Sequence, residues 1–385
     1  MPARAREGIS VLFYADLTSP FVPRDLDVKP LGGSETALVH VARGLAALGH
    51  RVMVVSHPGT GTGVYDGVEY LDVKSHSWGR VDVDVAVVFR QLPHVRRRLP
   101  GQARVLWVHD GIGIFPELNS GARRWVFTAA WKFGHRVFGS SVNGIVAVSR
   151  WLGNCFVKYA RWPVETVWTI PNGIDPVLFP RKPTGSSGLR AGSDRQPRIA
   201  YTSRPERGLS LLVTRIMPQL WQAIPSLELH VFSYSSLDDY RHLASGNASR
   251  VHFRGGLRQA DLARELQDFD LWVYPTNTPE TSCIAAMEAQ AAGVPVISSR
   301  RYALQETVQD GRTGILIEGA VGSEQYIEKF VAAALALLSD PSRRAIMGET
   351  AREWVLTHFT WDHVAAEWSA LLARLVNGNG SGHRQ

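Results

Sequence analysis

Two glutamates, Glu280 and Glu288, stand eight positions apart in the stretch PETSCIAAMEAQAAGVPVISS, residues 279–299. The residues between them, starting at Thr281, Ser282, Cys283 and Ile284, read as the beginning of a helix. The first amides of a helix have no intrahelical acceptor and carry the positive end of its dipole, so they favour an anion. Glu280 falls before that end, in a loop, and Glu288 lies about 9 Å along the axis at roughly 1.5 Å per residue. Eight residues do not return to one helix face, so the useful relation is length: carboxylate, anion-seeking helix end, carboxylate, in line. Carboxylates accept hydrogen bonds from hydroxyls, and a sugar, a diphosphate and a ribose joined in that order would meet these groups in turn. A pair of surface glutamates gives no reason for the order.

Other residues carry related chemistry. YTSRPERGLSLLV, 201–213, sets Arg204 and Arg207 at the end of a strand and before a helix, where two guanidinium groups could clamp a diphosphate. LGGSET, 31–36, opens an earlier helix: Gly32 and Gly33 allow backbone to approach an anion, Ser34 is the expected N-cap, and Glu35 follows. This stretch lacks the G-x-G-x-x-G spacing of a dinucleotide-binding turn. His109 and Asp110 close the apolar run ARVLWVH, 103–109. Two Asp-x-Asp pairs, Asp82/Asp84 and Asp268/Asp270, could suggest a divalent-metal site, but each leads into an apolar strand and reads as carboxylates at a strand's start.

These residues need elements to position them. Apolar runs that read as buried parallel strands alternate with helix-like segments through most of the chain. ISVLFYA, the helix beginning at LGGSET, and RVMVVS form a β-α-β unit, with Gly49 as the helix stop. VDVAVVF, ARVLWVH, GIVAVS and ETVWTIPNGID continue the series. Residues 179–197, rich in Pro, Gly, Ser and charge, read as a linker. A second series follows, with strands at 198–203, 227–233, 251–255, 271–276, 294–299 and 313–318, and helices at 208–223, 259–267, 281–292 and 324–338. Residues 359–376 form one amphipathic helix. The expectation is an α/β chain of two Rossmann-like, doubly wound domains across a cleft: 1–178 joined by the helix 359–376, and 198–358. Ligands of such sheets bind beyond the carboxyl ends of the strands, where all these residues fall.

Composition bounds the rest. The chain has 385 residues, 45% hydrophobic and 20% charged, ordinary for a globular protein. Its net charge is +7; six of its 42 basic residues are lysine, leaving 36 arginines. Such a balance fits a phosphate-bearing ligand or an anionic membrane. No nucleic-acid module is evident. Two cysteines without metal-type spacing point away from a disulfide framework or a zinc-thiolate site. With no secretory h-region and no apolar run of about 18 residues, a cytoplasmic location is expected. The segment RRWVFTAAWKFGHRVFG, 123–139, interleaves Arg123, Arg124 and Lys132 with Trp125 and Trp131; Arg96, Arg97, Arg98 and Arg104 lie upstream. It could rest on an anionic bilayer or be a core-packing helix with a solvated basic rim.

Taken together, GLAALGHRVMVVS after Gly32-Gly33, GIVAVSRWL, IPNGID, SRPERGL, PETSCIAAMEAQAAGVPVISS and VQDGRTGILIE resemble, in order, a family 4 glycosyltransferase of the GT-B fold. The resemblance implies retaining transfer from a UDP- or GDP-sugar to a hydroxyl acceptor, with no cofactor and no metal. It implies that Glu280 contacts donor-sugar hydroxyls and Glu288 the ribose. The amides around Ser282, Cys283 and Ile284 would lie near the diphosphate. Arg207 stands where many relatives have lysine, with Arg204 as its partner at a shorter spacing than usual. Gly33 would approach the distal phosphate, and His109 the donor sugar, with Asp110 beside it. Gly32, Glu35 and the 123–132 basic-aromatic residues are candidates for the acceptor or membrane side. The alternatives are a nucleotide-sugar epimerase of similar fold and a non-catalytic sugar-nucleotide or membrane-binding protein; a phosphorylase would need a lysine in the donor motifs, and none is there.

Overall fold

The computed structural model describes residues 8–16, 20–59, 61–110, 134–181 and 195–380. It divides into two compact units. The first comprises the chain to Arg24, Gly32–Asn172 and the chain from Trp361; the second comprises Asp25–Leu31 and Gly173–Thr360.

The first unit is built on strands β1 (Ser10–Tyr14), β2 (Arg51–Ser56), β3 (Gly63–Tyr65), β4 (Val68–Asp72), β5 (Val85–Phe89), β6 (Ala103–Val108), β7 (Gly144–Ala147) and β8 (Val167–Thr169). They form one sheet in the order β3-β4-β2-β1-β5-β6-β7-β8, parallel except for the β3/β4 hairpin. The valine-rich β5 is wholly buried, as a strand covered on both faces must be. The hairpin was not foreseen. Its turn is Asp66-Gly67, both at positive φ (50° and 78°), the two-residue geometry that matches strand twist.

Helix α1 (Gly33–Ala47) follows β1, and α2 (Arg150–Ala160) is capped by Ser149, whose hydroxyl accepts from the Leu152 amide at 3.1 Å. The start of α1 corrects the expected cap. Gly32, not Ser34, is the N-cap: its backbone is extended, and its carbonyl accepts from the Thr36 amide at 3.0 Å. A Cβ at Gly32 would stand 2.5 Å from the Glu35 carboxylate, which would have to turn aside to admit a side chain there. The other end of α1 follows expectation, with Gly49 at φ +86°.

The second unit holds β9 (Arg198–Thr202), β10 (Glu228–Phe232), β11 (Val251–Gly255), β12 (Leu271–Tyr274), β13 (Val296–Ser299) and β14 (Gly314–Ile317), all parallel, ordered β11-β10-β9-β12-β13-β14. Renumbered from β9, that is the doubly wound order 3-2-1-4-5-6, whose topological switch lies between β9 and β12. Trp272, Tyr201, Tyr274 and Tyr326 are fully buried in its core. Helices α3 (Gln259–Leu266), α4 (Ile284–Ala291), α5 (Glu324–Leu338) and α6 (Pro341–His358) pack with this sheet. The helix expected at 208–223 is interrupted by a π turn at Leu212–Ile216, just before Pro218, which lacks an amide hydrogen to donate.

Two boundaries differ from the sequence reading. The first unit ends at Asn172, not at 178, because Ile174 and Phe179 are buried with Ala263, Met287, Ala291 and Val355 of the second unit. For the same reason the linker does not start at 179: the Phe179 carbonyl is held by Arg352. The final helix α7 (Trp361–Gly380) belongs to the first unit, where it packs on α1. Gly44 permits that approach, since a Cβ there would meet the Ala365 Cβ at 2.5 Å. His40 and Trp361 stack at 5.0 Å.

Candidate active site

At the switch point of the second sheet the chain leaves β9 through Ser203 and Arg204, makes a short 3-10 turn at Pro205–Arg207 and passes Gly208. Gly208 has φ +115°, and a Cβ there would lie 2.4 Å from the Pro275 carbonyl. Glycine is thus required twice over: for the left-handed backbone and for close approach to the loop after β12. That approach brings Arg207 to the loop that carries Glu280.

The Arg207 guanidinium donates to Glu280 Oε1 at 2.8 Å, and the Tyr274 hydroxyl donates to the same oxygen. Ser203 Oγ lies 3.2 Å from the Tyr274 hydroxyl. Glu280 is only 6% exposed, and its carbonyl also accepts from the Ala303 amide at 3.1 Å. Burial alone would lower the Arg207 pKa, but Glu280 and then Tyr274 overcome it and hold the guanidinium above its ordinary range. Burial and then Glu280 push the Tyr274 hydroxyl well up, so it stays a donor. Tyr274, the last residue of β12, carried no signal in the sequence apart from its place in a strand.

Helix α4 begins at Ile284 with Cys283 as N-cap, and no side chain caps it. The amides of its first turn therefore face outward at the carboxyl edge of the sheet. Ser282 Oγ is buried and has no hydrogen-bond partner there. The Cys283 thiol is buried, and burial followed by Glu280 raises its pKa well above the ordinary value, so it is an uncharged packing group. Glu288 lies within α4, 8% exposed, and accepts from Gln259 Nε2 at 2.9 Å. Burial pushes its pKa up to about 7, against a smaller lowering by Gln259. Gln259, at the start of α3, was not anticipated.

Arg204 turns another way. Its side chain pairs with Glu206 at 2.7 Å and is half-exposed, while its carbonyl accepts from Tyr201 at 2.7 Å. The structure brings Arg207, Glu280 and Tyr274 together and leaves Arg204 at their margin.

The first unit gathers its own polar groups at the carboxyl ends of its strands. Arg90, directly after β5 with φ +64°, donates to Asp110 Oδ2 at 2.8 Å and lies 3.5 Å from Glu35 Oε1. It thereby ties together two sequence candidates through a residue that sequence reasoning missed. Gly33 is the first residue of α1, beside them. His109 is 5% exposed, with Trp107 at 4.6 Å and Phe89 at 5.0 Å. Burial, and then the Arg90 charge, keep its pKa well below the ordinary value, so the imidazole is neutral at pH 7. Asp16, after β1, was also missed: Tyr14 donates to it at 3.0 Å and His57 lies 2.9 Å away. Arg123, Arg124, Trp125, Trp131 and Lys132 lie outside the described residues. The second aspartate of each Asp-x-Asp pair serves a strand start: Asp84 Oδ2 accepts from the Ser10 amide and hydroxyl at 2.9 and 2.7 Å, and Asp270 Oδ2 from the Arg198 amide at 2.8 Å.

Residues 196–340, which contain the Arg207–Glu280 cluster, match the family described as glycosyl transferases group 1. Residues 196–340 thus carry a domain of that family, and the chain shares the GT-B fold. Among curated relatives, it is 32% identical over 61% of its length, and 60% of theirs, to a GDP-mannose-dependent monoacylated alpha-(1-6)-phosphatidylinositol monomannoside mannosyltransferase of Corynebacterium glutamicum. It is 29% identical over 62% of its length to a GDP-mannose-dependent alpha-(1-6)-phosphatidylinositol monomannoside mannosyltransferase of Mycolicibacterium smegmatis, 64% of which is covered. The matches thus span a little under two thirds of these relatives. Among solved structures, a sucrose-phosphate synthase from Thermosynechococcus elongatus superposes with a TM-score of 0.76 over 96% of this chain and 100% of that one, at 18% identity. That likeness concerns the fold.

Proposed function

We propose that this chain transfers mannose, with retention at the anomeric carbon, from GDP-mannose to a hydroxyl of a lipid-linked glycan acceptor, without a metal. The observation that carries the reading is the Arg207–Glu280–Tyr274 cluster at the switch point of the second sheet, beside an uncapped helix start. The choice of GDP-mannose and of a lipid-linked acceptor rests on the activities named for the relatives.

In this reading the diphosphate lies against the first turn of α4 and Arg207, the sugar hydroxyls meet Glu280, and the ribose hydroxyls meet Glu288. Charge builds on the leaving diphosphate as the glycosidic bond breaks. A fixed guanidinium and fixed amides lower that charge's energy without reorganising, which is the main electrostatic task. Tyr274 and Arg207 hold the Glu280 carboxylate in one orientation, so a sugar with the right hydroxyl pattern is positioned rather than merely bound. The acceptor hydroxyl attacks from the face the diphosphate leaves, and a diphosphate oxygen takes its proton; no protein nucleophile is used. The neutral His109 offers a hydrogen bond without adding charge. In the first unit, Arg90 and the Asp16 cluster belong to the acceptor side.

The test is product analysis. Purified protein is incubated with GDP-mannose, GDP-glucose, UDP-glucose or ADP-glucose and a membrane lipid extract, and the product is read by NMR. An α-mannosyl product from GDP-mannose alone is expected. A β-linked product refutes retention; an isomerised nucleotide-sugar without transfer supports the epimerase instead.

A further inference from the structure

A group of side chains on the second sheet stands apart from everything the transfer uses. In β10, Glu228 and His230 are two residues apart and so share one face of the strand. The parallel register sets His230 of β10 opposite His252 of β11, which brings His252 to the same face. The three side chains converge. His230 Nε2 lies 3.1 Å from Glu228 Oε2, and His252 Nε2 lies 3.8 Å from Glu228 Oε1. One ligand atom from each residue falls within 4.8 Å of the others. The two imidazole centroids are 4.5 Å apart.

We propose that Glu228, His230 and His252 form a structural site for a divalent transition metal of zinc type. The donor set, two imidazole nitrogens and one carboxylate oxygen, suits such an ion. A tetrahedral ion at about 2.05 Å from its ligands holds them about 3.3 Å apart, so ligand atoms that now lie within 4.8 Å of one another would have to adjust by up to about 1.5 Å. One further observation points to a ligand: His252 Nε2, the ring nitrogen that faces Glu228, is buried without a hydrogen-bond partner. Buried ring nitrogens without partners are uncommon, and a bound cation is one of the few ways to satisfy an imidazole lone pair. His252 as a whole is about one third exposed, which leaves a side open for water as a fourth ligand.

Arg198 is the competitor. Its Nε donates to Glu228 Oε2 at 3.2 Å, supplying the positive charge that the carboxylate needs. Its side chain is 38% exposed, so it can turn to solvent when a cation takes its place. The site lies at the amino ends of β10 and β11, whereas Arg207 and Glu280 lie beyond the carboxyl ends of β9 and β12. The ion therefore takes no part in transfer. It clamps β11, the edge strand of this sheet, to β10.

The experiment uses full-length, untagged, chelator-treated protein. Cobalt(II) chloride is titrated as a spectroscopic probe and zinc chloride as a stabiliser. One equivalent of Co2+ is expected to give the visible absorption of a tetrahedral site without a thiolate charge-transfer band, and Zn2+ is expected to raise the thermal midpoint by several degrees. Glu228→Gln and His252→Ala should each weaken binding at least tenfold, while Arg198→Ala should tighten it. His252→Ala keeps the experiment readable if His230 variants misfold, because His252 is at the edge and part-exposed. A metal signal unchanged in His252→Ala, or no stoichiometric signal in the parent protein, overturns the assignment. Transfer rates that fall in proportion to metal removal would overturn its structural role.

Discussion

At the scale of single residues, Arg207 and Glu288 make the clearest claims. In the proposed reading Arg207 meets the leaving diphosphate, so its charge acts most as the transition state forms. Arg207→Ala should lower kcat by about 10²–10³, the size of losing one preorganised donor, with a smaller effect on donor KM. Steady-state kinetics over a donor series checks this; a change confined to KM would move Arg207 out of the charge-stabilising role. Glu288 makes a prediction about pH. Its pKa rises from 4.5 in the unfolded chain to about 7 in the fold. Between those values the folded state holds a proton that the unfolded state has lost, so stability is greatest below 4.5 and falls as pH rises to 7. The loss is about 3 kcal/mol at about 1.36 kcal/mol per unit. Glu288→Gln removes the titration. Urea unfolding at pH 5 and pH 8 should show the variant gaining on the parent protein by that order as pH rises, and a constant difference would show that the carboxylate is not held in its raised state. Glu280, Glu288 and Arg207 were legible as candidates from their places at strand ends and around a helix start, and the structure brings Arg207 and Glu280 into contact and buries Glu288 in the helix. Tyr274, Gln259 and Arg90 were not, since each does its work through a tertiary contact that a local pattern does not encode.

At the scale of elements, glycines decide which loops and helices can meet. Gly208 joins the end of β9 to the loop after β12, and Gly44 lets α7 lie against α1. Gly208→Ala combines an unfavourable left-handed backbone with a collision against a carbonyl that cannot easily yield. It should cost about 2–3 kcal/mol and displace Arg207. Thermal unfolding and turnover should both fall, and turnover should fall further than the loss of folded protein explains. Gly44→Val should lower stability through the α1–α7 contact while leaving the nucleotide affinity of the second unit unchanged, which calorimetry with GDP can separate from the melting temperature. Strand positions were readable from apolar runs, because parallel strands buried on both faces have little other composition open to them. The α1 cap differs from the expectation because the helix starts one residue before Ser34, at Gly33, with the extended Gly32 as its cap. The β3/β4 hairpin was missed although Asp66-Gly67 is a strong local turn signal; its strands are short and half-exposed, and the alternation was overlooked beside the longer runs.

At the scale of the whole molecule, two doubly wound sheets account for the order of the motifs along the chain. Each presents its polar cluster beyond the carboxyl ends, at or next to the strand-order reversal. That relation was legible from the alternation of strands and helices alone. The acceptor was not, because hydroxyl recognition depends on loop side chains, and the basic-aromatic segment lies outside the described residues. Among the described residues no helix is long and apolar enough to cross a membrane, and the excess of arginine still favours a phosphate-bearing substrate. A donor screen by thermal shift should place GDP-mannose above UDP- and ADP-sugars, since binding to the folded state alone raises the midpoint by mass action. The central claim is that the sugar of the donor meets Glu280 while the nucleotide is held elsewhere in the same unit. Calorimetric titration of GDP and GDP-mannose into the parent protein and Glu280→Gln tests it most directly. The amide can still accept from Arg207, so GDP should bind both proteins equally. GDP-mannose should bind the variant about 10–100-fold more weakly, the worth of one charged hydrogen bond. Equal binding of GDP-mannose to both proteins, or an equal loss for GDP and GDP-mannose, would contradict the placement of the sugar.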